Sequence, residues 1–232
     1  MENKKLVIIL MGAPGAGKGT QAELLAERLN LYYLETSKVL EETFLSVQKN
    51  DLINVGSQKF SLKKEKILWQ TGKLCDPPFV SYLVREKIKE ISKKGKNLIL
   101  AGSPRTVFEG KEVVPLLKKL YGQKNIKVIL LDISPQETIF RNSHRRICQL
   151  MRHPIVFSKE TKNLTICPLD GSKLMRRKGL DDPETIKVRL KEYKERTYPI
   201  IDYFKKEKLS LKIVDGSPSP AVIFENLIKS FK

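Results

Sequence analysis

The chain has little of what builds disulfide scaffolds, metal clusters or membrane spans. Three cysteines, Cys75, Cys148 and Cys167, stand in 232 residues. That count is too small and too odd for a disulfide framework, and it suits a reducing compartment. Histidine occurs twice, as His144 and His153, and His144 reads as a structural or surface residue. No apolar stretch approaches the ~20 residues of a membrane span. The N-terminal apolar run ends in a glycine-rich turn rather than a signal-peptide cleavage pattern, so a cytoplasmic location is the expectation. Acidic residues are scarce beside basic ones, 26 against 44, which leaves a net charge of +18 and implies anionic partners. The basic residues are spread over segments such as Lys93-Lys94-Gly95-Lys96, with no RGG or RNP-type run and few aromatics among them. A solvated surface around an anionic-substrate site is therefore preferred, and nucleic-acid binding by a diffuse basic face ranks second. No internal repeat or low-complexity linker interrupts the chain, and 41% apolar with 30% charged residues is the composition of a globular protein with one core.

What is present begins near the N-terminus. Leu6-Val7-Ile8-Ile9-Leu10-Met11, of strand length, runs into Gly12-Ala13-Pro14-Gly15-Ala16-Gly17-Lys18-Gly19-Thr20, and a helical pattern follows. The G-x-x-x-x-G-K spacing lets backbone N–H groups turn inward around a phosphate, and a Cβ at the tightest positions would block the approach. Lys18 is placed to reach the β and γ phosphates, while the helix starting near Gly17 directs its unpaired N–H groups and positive dipole end at the same anion. Thr20 is the nearest hydroxyl for Mg²⁺, because Gly19 occupies the usual Ser/Thr position. The segment predicts binding of a nucleoside triphosphate.

Short apolar runs recur at Leu31–Leu34, Asn97–Leu100, Lys127–Leu131 and Leu211–Val214, as expected of parallel strands buried on both faces. Helical patterns separate them, at Gln21–Leu29, Phe79–Ile91, Pro135–Ile147 and Pro183–Phe204. Strand then helix, repeated, gives a doubly wound α/β sheet. Asp182-Pro183 reads as a helix cap followed by a first-turn proline, with Ile186, Leu190, Tyr193, Ile200 and Phe204 as the buried stripe. Residues 36–74 and 147–179 resist this pattern and read as insertions over the strand ends.

Several motifs in order make the chain resemble the adenylate kinase family of nucleoside monophosphate kinases, in its long-lid form. They are the phosphate loop continuing through Gln21-Ala22, Gly72-Lys73-Leu74, Gly102-Ser103-Pro104-Arg105-Thr106, Arg141 with Arg145 and Arg146, and Asp181-Asp182-Pro183-Glu184 with Arg189. The resemblance implies a P-loop NTPase fold with a five-stranded parallel sheet. Its core would comprise residues 1–35, 75–146 and 180–232, with an acceptor-binding insertion at 36–74 and a lid at 147–179. It further implies transfer of the γ-phosphoryl group of MgATP to a nucleoside monophosphate, AMP or a relative, by a monomer. In that reaction positioning and charge neutralisation do most of the catalysis. Gly12 through Thr20 and Arg141 would bind ATP, with the Arg141 guanidinium on the adenine. Lys18, Arg105, Arg145, Arg177 and Arg189 would be catalytic, and Arg105 and Arg189 would grip the monophosphate. Arg177 fills the role of the lid arginine because Gly179 stands where the family usually has it. Thr36, Glu41, Gly102 and Glu109 would face the acceptor.

Departures from the family pattern cluster on the acceptor and metal side. Ser37, Lys38 and Glu41 replace a Gly-Asp pair and a phosphate-binding arginine, Ala101 replaces a magnesium-ordering aspartate, and Glu109 replaces a base-reading glutamine. They put AMP specificity in question and keep open a second reading, a nucleotide-binding relative with weak or no kinase activity, associated with RNA. Asp132 remains as a carboxylate for the metal shell or as a helix cap. In the lid, Cys148…Met151 and Cys167…Asp170 trace a degenerate zinc pattern. Zinc would need Cys148, Cys167, Asp170 and His153 together, and a metal-free knuckle is the preferred reading because a thioether is a poor zinc ligand.

Overall fold

The computed structural model describes residues 5–45, 51–152, 154–177 and 179–231. The first element, β1 (Val7–Gly12), is buried at every position. It leads into α1 (Lys18–Leu29), then β2 (Leu31–Glu35) and α2 (Thr36–Leu45). A hairpin of β3 (Leu52–Val55) and β4 (Gln58–Ser61) follows, and α3 (Leu62–Gln70) returns the chain to α4 (Pro77–Lys93). The core resumes with β5 (Asn97–Ala101), α5 (Val107–Tyr121), β6 (Ile126–Asp132) and α6 (Pro135–His144). Three short strands come next: β7 (Arg146–Cys148), β8 (Pro154–Ile155) and β9 (Leu174–Met175). The chain ends with α7 (Pro183–Glu192), α8 (Ile200–Lys206), β10 (Ser210–Asp215) and α9 (Pro220–Ser230).

The central sheet has the order β10-β6-β1-β5-β2, and all its pairings are parallel. This is the five-stranded α/β sheet expected from the sequence. Alternation along β1 divides the core: Val7, Ile9 and Met11 pack with Phe79, Ile88, Val113, Leu117 and Phe204 on one face, while Ile8 and Leu10 pack with Leu25, Ile223 and Leu227 on the other. The outer strands are less buried than their apolar runs suggested. Tyr32 of β2 and Ile213 of β10 are exposed, because an edge strand has a neighbour on one side only.

Prolines start four of the helices, each after a capping position. The α6 cap is Ser134, whose Oγ accepts from the Glu137 N–H at 3.0 Å, so Asp132 is not the cap. Asp182 occupies the cap position of α7 without a side-chain cap bond. Its carboxylate accepts from the Gly179 N–H at 3.0 Å instead. The expected helix to residue 147 stops at His144, because Arg146–Cys148 pairs with β8 and β9 as a separate three-stranded sheet. Between α7 and α8 the chain makes a π-helical turn over Tyr193–Thr197.

Candidate active site

The phosphate loop is shaped by its protein neighbours before any ligand is considered. Gly12 has φ +146°, and a Cβ there would lie 2.6 Å from the Leu131 carbonyl oxygen. Gly15, at φ +86°, would drive a Cβ to 2.7 Å from Asn142 Nδ2. Asn142 of α6 donates to the Pro14 carbonyl at 3.1 Å and so braces the loop from outside. Lys18 opens α1 and folds its ammonium back onto the Gly12 and Ala13 carbonyls, both at 2.8 Å. Thr20 lies in the first turn of α1. Ala16 is fully buried against β1, and Gly17 caps α1 in a left-handed conformation. Gly19 is ordinary helix, 3.6 Å by its would-be Cβ from the Tyr33 hydroxyl.

A cleft open to solvent lies beside this loop. It is lined by Gly12, Pro14 and Lys18, by Gly72 and Leu74, by Gly102, Pro104 and Arg105, and by Arg189, Glu192, Tyr193 and Thr197. Four segments far apart in sequence thus meet over the C-terminal ends of the strands, where open α/β sheets bind ligands. Lys18 is held well below the ordinary lysine range by burial and then by Arg105, Arg189 and Arg145. Arg189 is pushed down in turn by burial and by Arg177, Arg145 and Arg105, and Arg145 by burial and Arg177. Arginine keeps its proton at working pH, so this push is felt as mutual repulsion. Arg177, not Arg176, joins the cluster; Arg176 donates to the Ser143 carbonyl at 2.9 Å.

One carboxylate offsets the cluster. Asp181 is 1% exposed and lies 3.6 Å from Arg145 and 3.8 Å from Arg189. Arg189 also donates to the Leu180 carbonyl at 3.0 Å. Five cations against Asp181, with Glu109 buried under the Arg105 loop and Glu192 on the cleft wall, leave a surplus of positive charge among the described residues at the mouth of the phosphate loop, the arrangement that stabilises a polyphosphate.

Arg141 stands apart from this group. Its guanidinium donates to the Gly216 and Ser217 carbonyls, both at 2.8 Å, and pairs with Glu137, which fixes it against the loop after β10. On the acceptor side, Thr36 begins α2 with a buried hydroxyl that has no hydrogen-bond partner among the described residues. Gly102 sits against the Arg105 guanidinium, 2.7 Å from its would-be Cβ to Nη2. Two residues expected to face the acceptor are engaged elsewhere. Glu41 pairs with Arg152 at 2.9 Å, and Glu109 is buried beneath the Arg105 loop, bonded to Ser103 and Arg105. Lys38 pairs with Glu35 at 3.5 Å beside the Tyr33 ring.

Beside the small sheet of β7, β8 and β9, Cys148, Cys167 and Asp170 bring their ligand atoms within 4.8 Å of one another. The Asp170 carboxylate accepts from the Ser172 N–H at 2.9 Å and hydroxyl at 2.8 Å. Hydrogen bonds from Cys148, the Ser172 backbone and side chain, and Cys167 hold it below the usual carboxylate range. Three donors are one short of the four a structural zinc takes. Met151 is 62% exposed, and His153 lies outside the described residues. His144 stacks between Phe140 and Phe157, with ring centroids at 4.5 and 4.4 Å, a packing role.

Leu74, Glu192, Tyr193 and Thr197 line the cleft without having been named as site residues from the sequence. Tyr193 was expected in the buried stripe; the π-helical turn moves it onto the cleft, where burial and then Asp132 push its phenol up to about 12. A one-residue slip of helical phase has no sequence signature, although such turns recur at functional sites. Glu192 accepts from the Leu74 N–H at 3.2 Å and so ties the segment after α3 to α7.

A parallel sheet with a lysine-bearing phosphate loop, and four arginines gathered over it from before α5, after α6, after β9 and within α7, defines a P-loop phosphotransferase. The match can be drawn more finely. The adenylate kinase family model aligns with residues 10–209. Adenylate kinase of Chlamydia trachomatis serovar D is 32% identical, over 99% of this chain and 91% of that protein. That of Caldicellulosiruptor bescii is 34% identical over 96% of this chain and 97% of its own length, and that of Mycoplasma mycoides 30% over 95% and 96%. The chain belongs to the adenylate kinase family: it is a nucleotide-binding phosphotransferase of the nucleoside monophosphate kinase type. No helix among the described residues is long and apolar enough to cross a membrane.

Proposed function

We propose that the protein transfers the γ-phosphoryl group of ATP to AMP or a related nucleoside monophosphate, giving two diphosphates. The observation that carries this reading is the convergence of Lys18, Arg105, Arg145, Arg177 and Arg189 at the mouth of the phosphate loop, where Lys18 feels three of the arginines and the charge of each arginine is felt by another of the five. The loop amides and Lys18 bind the ATP phosphates, and Arg141 flanks the adenine end. Arg105 and Arg189 hold the acceptor phosphate, while Arg145 and Arg177 neutralise charge on the moving group. Residues 36–74 form the acceptor insertion and 147–179 the lid, whose closure excludes water that would otherwise hydrolyse ATP.

Magnesium fits this donor set. The Thr20 hydroxyl and the Asp132 carboxylate at the end of β6 are hard oxygen donors near the phosphate loop, and the ion would neutralise phosphate charge there. The lid knuckle is read as metal-free, held by the Asp170 hydrogen bonds, since three donors gather among the described residues. The protein acts as a monomer in the cytoplasm. The second reading, a nucleotide-binding relative with weak turnover and an RNA partner, draws on Ala101 and on the diversion of Glu41 and Glu109 from the acceptor side.

Incubation with MgATP and each of AMP, GMP, CMP, UMP and dAMP, with chromatography of the products, tests this directly. Stoichiometric formation of ADP and one new diphosphate is expected. ATP binding without transfer to any acceptor would replace the kinase with the second reading, as would salt-steep RNA affinity beside background turnover.

A further inference from the structure

The first turn of α5 departs from the usual capping pattern in a way that concerns Arg105. Thr106 caps the helix, its Oγ1 accepting from the Glu109 N–H at 3.2 Å. In a reciprocal capping box the Glu109 carboxylate would reach back to the Thr106 N–H. Here Glu109 Oε2 accepts from the N–H of Arg105, one residue earlier, at 2.9 Å, and from the Ser103 hydroxyl at 3.0 Å. Oε1 accepts from the Thr106 hydroxyl at 3.3 Å. Glu109 is 2% exposed, and it is not among the residues that line the cleft, whereas Gly102, Pro104 and Arg105 are.

A buried carboxylate is costly unless hydrogen-bonded, and these three donors occupy three of its roughly four lone-pair sites. All three come from the four-residue loop that launches the Arg105 side chain toward the cleft. We infer that Glu109 is a positioning residue, which fixes the Ser103–Thr106 loop so that Arg105 meets the acceptor phosphate, and that it does not read the acceptor base. This inference rests on the kinase reading above and adds to it that α5 imposes no base preference on the acceptor. Discrimination between bases is left to other groups, such as the buried Thr36 hydroxyl.

The chemistry of substitution separates the two roles. Glu109→Gln keeps an oxygen able to accept from both Arg105 and Ser103 and offers an N–H to the Thr106 hydroxyl, so the loop is retained. A base-reading side chain would instead have exchanged an acceptor for a donor at the base edge. Glu109→Ala frees all three loop donors.

Initial rates with AMP, GMP, CMP and UMP are compared for the wild type, Glu109→Gln, Glu109→Ala and Ser103→Ala. Glu109→Ala is expected to lower kcat/KM by about 10- to 100-fold for every acceptor alike, the scale of a misplaced phosphate clamp. The KM for ATP should hold, and Glu109→Gln should return to within about 5-fold of the wild type. Ser103→Ala should give a smaller, equally uniform fall, which keeps the inference testable if Glu109→Ala does not fold. A change of more than about 10-fold in the ratio between two acceptors in Glu109→Gln would make Glu109 a base reader and overturn the inference. Unchanged rates in Glu109→Ala would overturn it too. Failure of the wild type to transfer to any acceptor is a different result, since it removes the kinase reading itself and with it the phosphate that Arg105 is positioned to meet.

Discussion

Glu41 Oε1 and Arg152 Nη1 lie 2.9 Å apart, joining α2 to the segment that follows β7. The two positions are separated by 111 residues, so the pair ties together the two proposed insertions rather than stabilising one element. Both side chains are substantially exposed, which limits such a pair to about 0 to 1 kcal/mol. That is enough to shift an open–closed balance by up to about fivefold. Glu41→Arg should raise KM for ATP and acceptor together by about two- to fivefold, and Glu41→Arg with Arg152→Glu should recover most of the loss. High salt should erase the difference. Steady-state kinetics at low and high ionic strength checks all three outcomes.

Asp181 is the one buried acid facing Arg145 and Arg189. Asp181→Asn removes its charge and leaves two buried guanidinium groups to repel each other, at a cost of about 3 kcal/mol. For a chain of this size the melting temperature should fall by roughly 6 to 12 °C. Saturating pyrophosphate should recover more of this loss than it adds to the wild type, because an anion replaces the missing charge. Thermal melts with and without pyrophosphate measure both effects.

Lys18 supplies the pH dependence. Burial and three arginines lower its folded-state pKa, so at neutral pH the unfolded chain holds this proton more readily than the folded one. Stability carried by this group therefore rises with pH, from its lowered folded value up to the ordinary lysine value. Lys18→Met should melt higher than the wild type at neutral pH in the absence of nucleotide. The gap should narrow as pH climbs toward 10.5, the ordinary lysine value. Phosphoryl transfer should fall by about 100-fold or more. Paired melts across the alkaline range and one activity assay decide it.

Gly72 has φ +81°, and a Cβ there would lie 2.7 Å from Thr185 Cγ2 and 3.0 Å from Arg189 Cγ. Gly72→Ala adds backbone strain and displaces Arg189, a combined cost of about 1 to 3 kcal/mol. The acceptor KM should rise more than the ATP KM, if Arg189 holds the acceptor phosphate as proposed. Denaturant unfolding and the two KM values provide the check.

The lid knuckle has a metal test. Protein purified without chelator should hold well under one zinc per chain, and chelator should leave the melting temperature unchanged within about 1 °C. Stoichiometric zinc by elemental analysis would require a fourth ligand from outside the described residues and would overturn the metal-free reading.

Much of the architecture was legible because its signals are local. The apolar strand-length segments became the five strands of the sheet, and the glycine-lysine spacing put Lys18 at the head of α1. The arginines that gather near the phosphate loop were readable through motifs, and Arg177 is close enough for its charge to reach Arg145 and Arg189. What escaped depends on side-chain direction rather than residue type. Glu109 and Glu41 occupy positions that a motif assigns to the acceptor, yet one turns under a loop and the other crosses to the lid. The helical pattern runs on to Ile147, but pairing with β8 and β9 draws Arg146–Cys148 into a sheet. Glu41 was set by a partner 111 residues away, which no window of local pattern contains, whereas the partners of Glu109 lie within six residues and it is side-chain direction that residue type does not encode.

The π-helical turn over Tyr193–Thr197 gives one stretch of chain two allegiances. Upstream of it, α7 carries Arg189 and Glu192 toward the cleft; downstream, Ile200 and Phe204 of α8 are fully buried beneath the sheet. An unbroken helix turns by a fixed step per residue and would align one of these faces at the expense of the other. The extra residue works as a phase adjuster, so loss of a single amino acid here would rotate the anion-binding half of the segment away from its ligands while leaving every residue type in place.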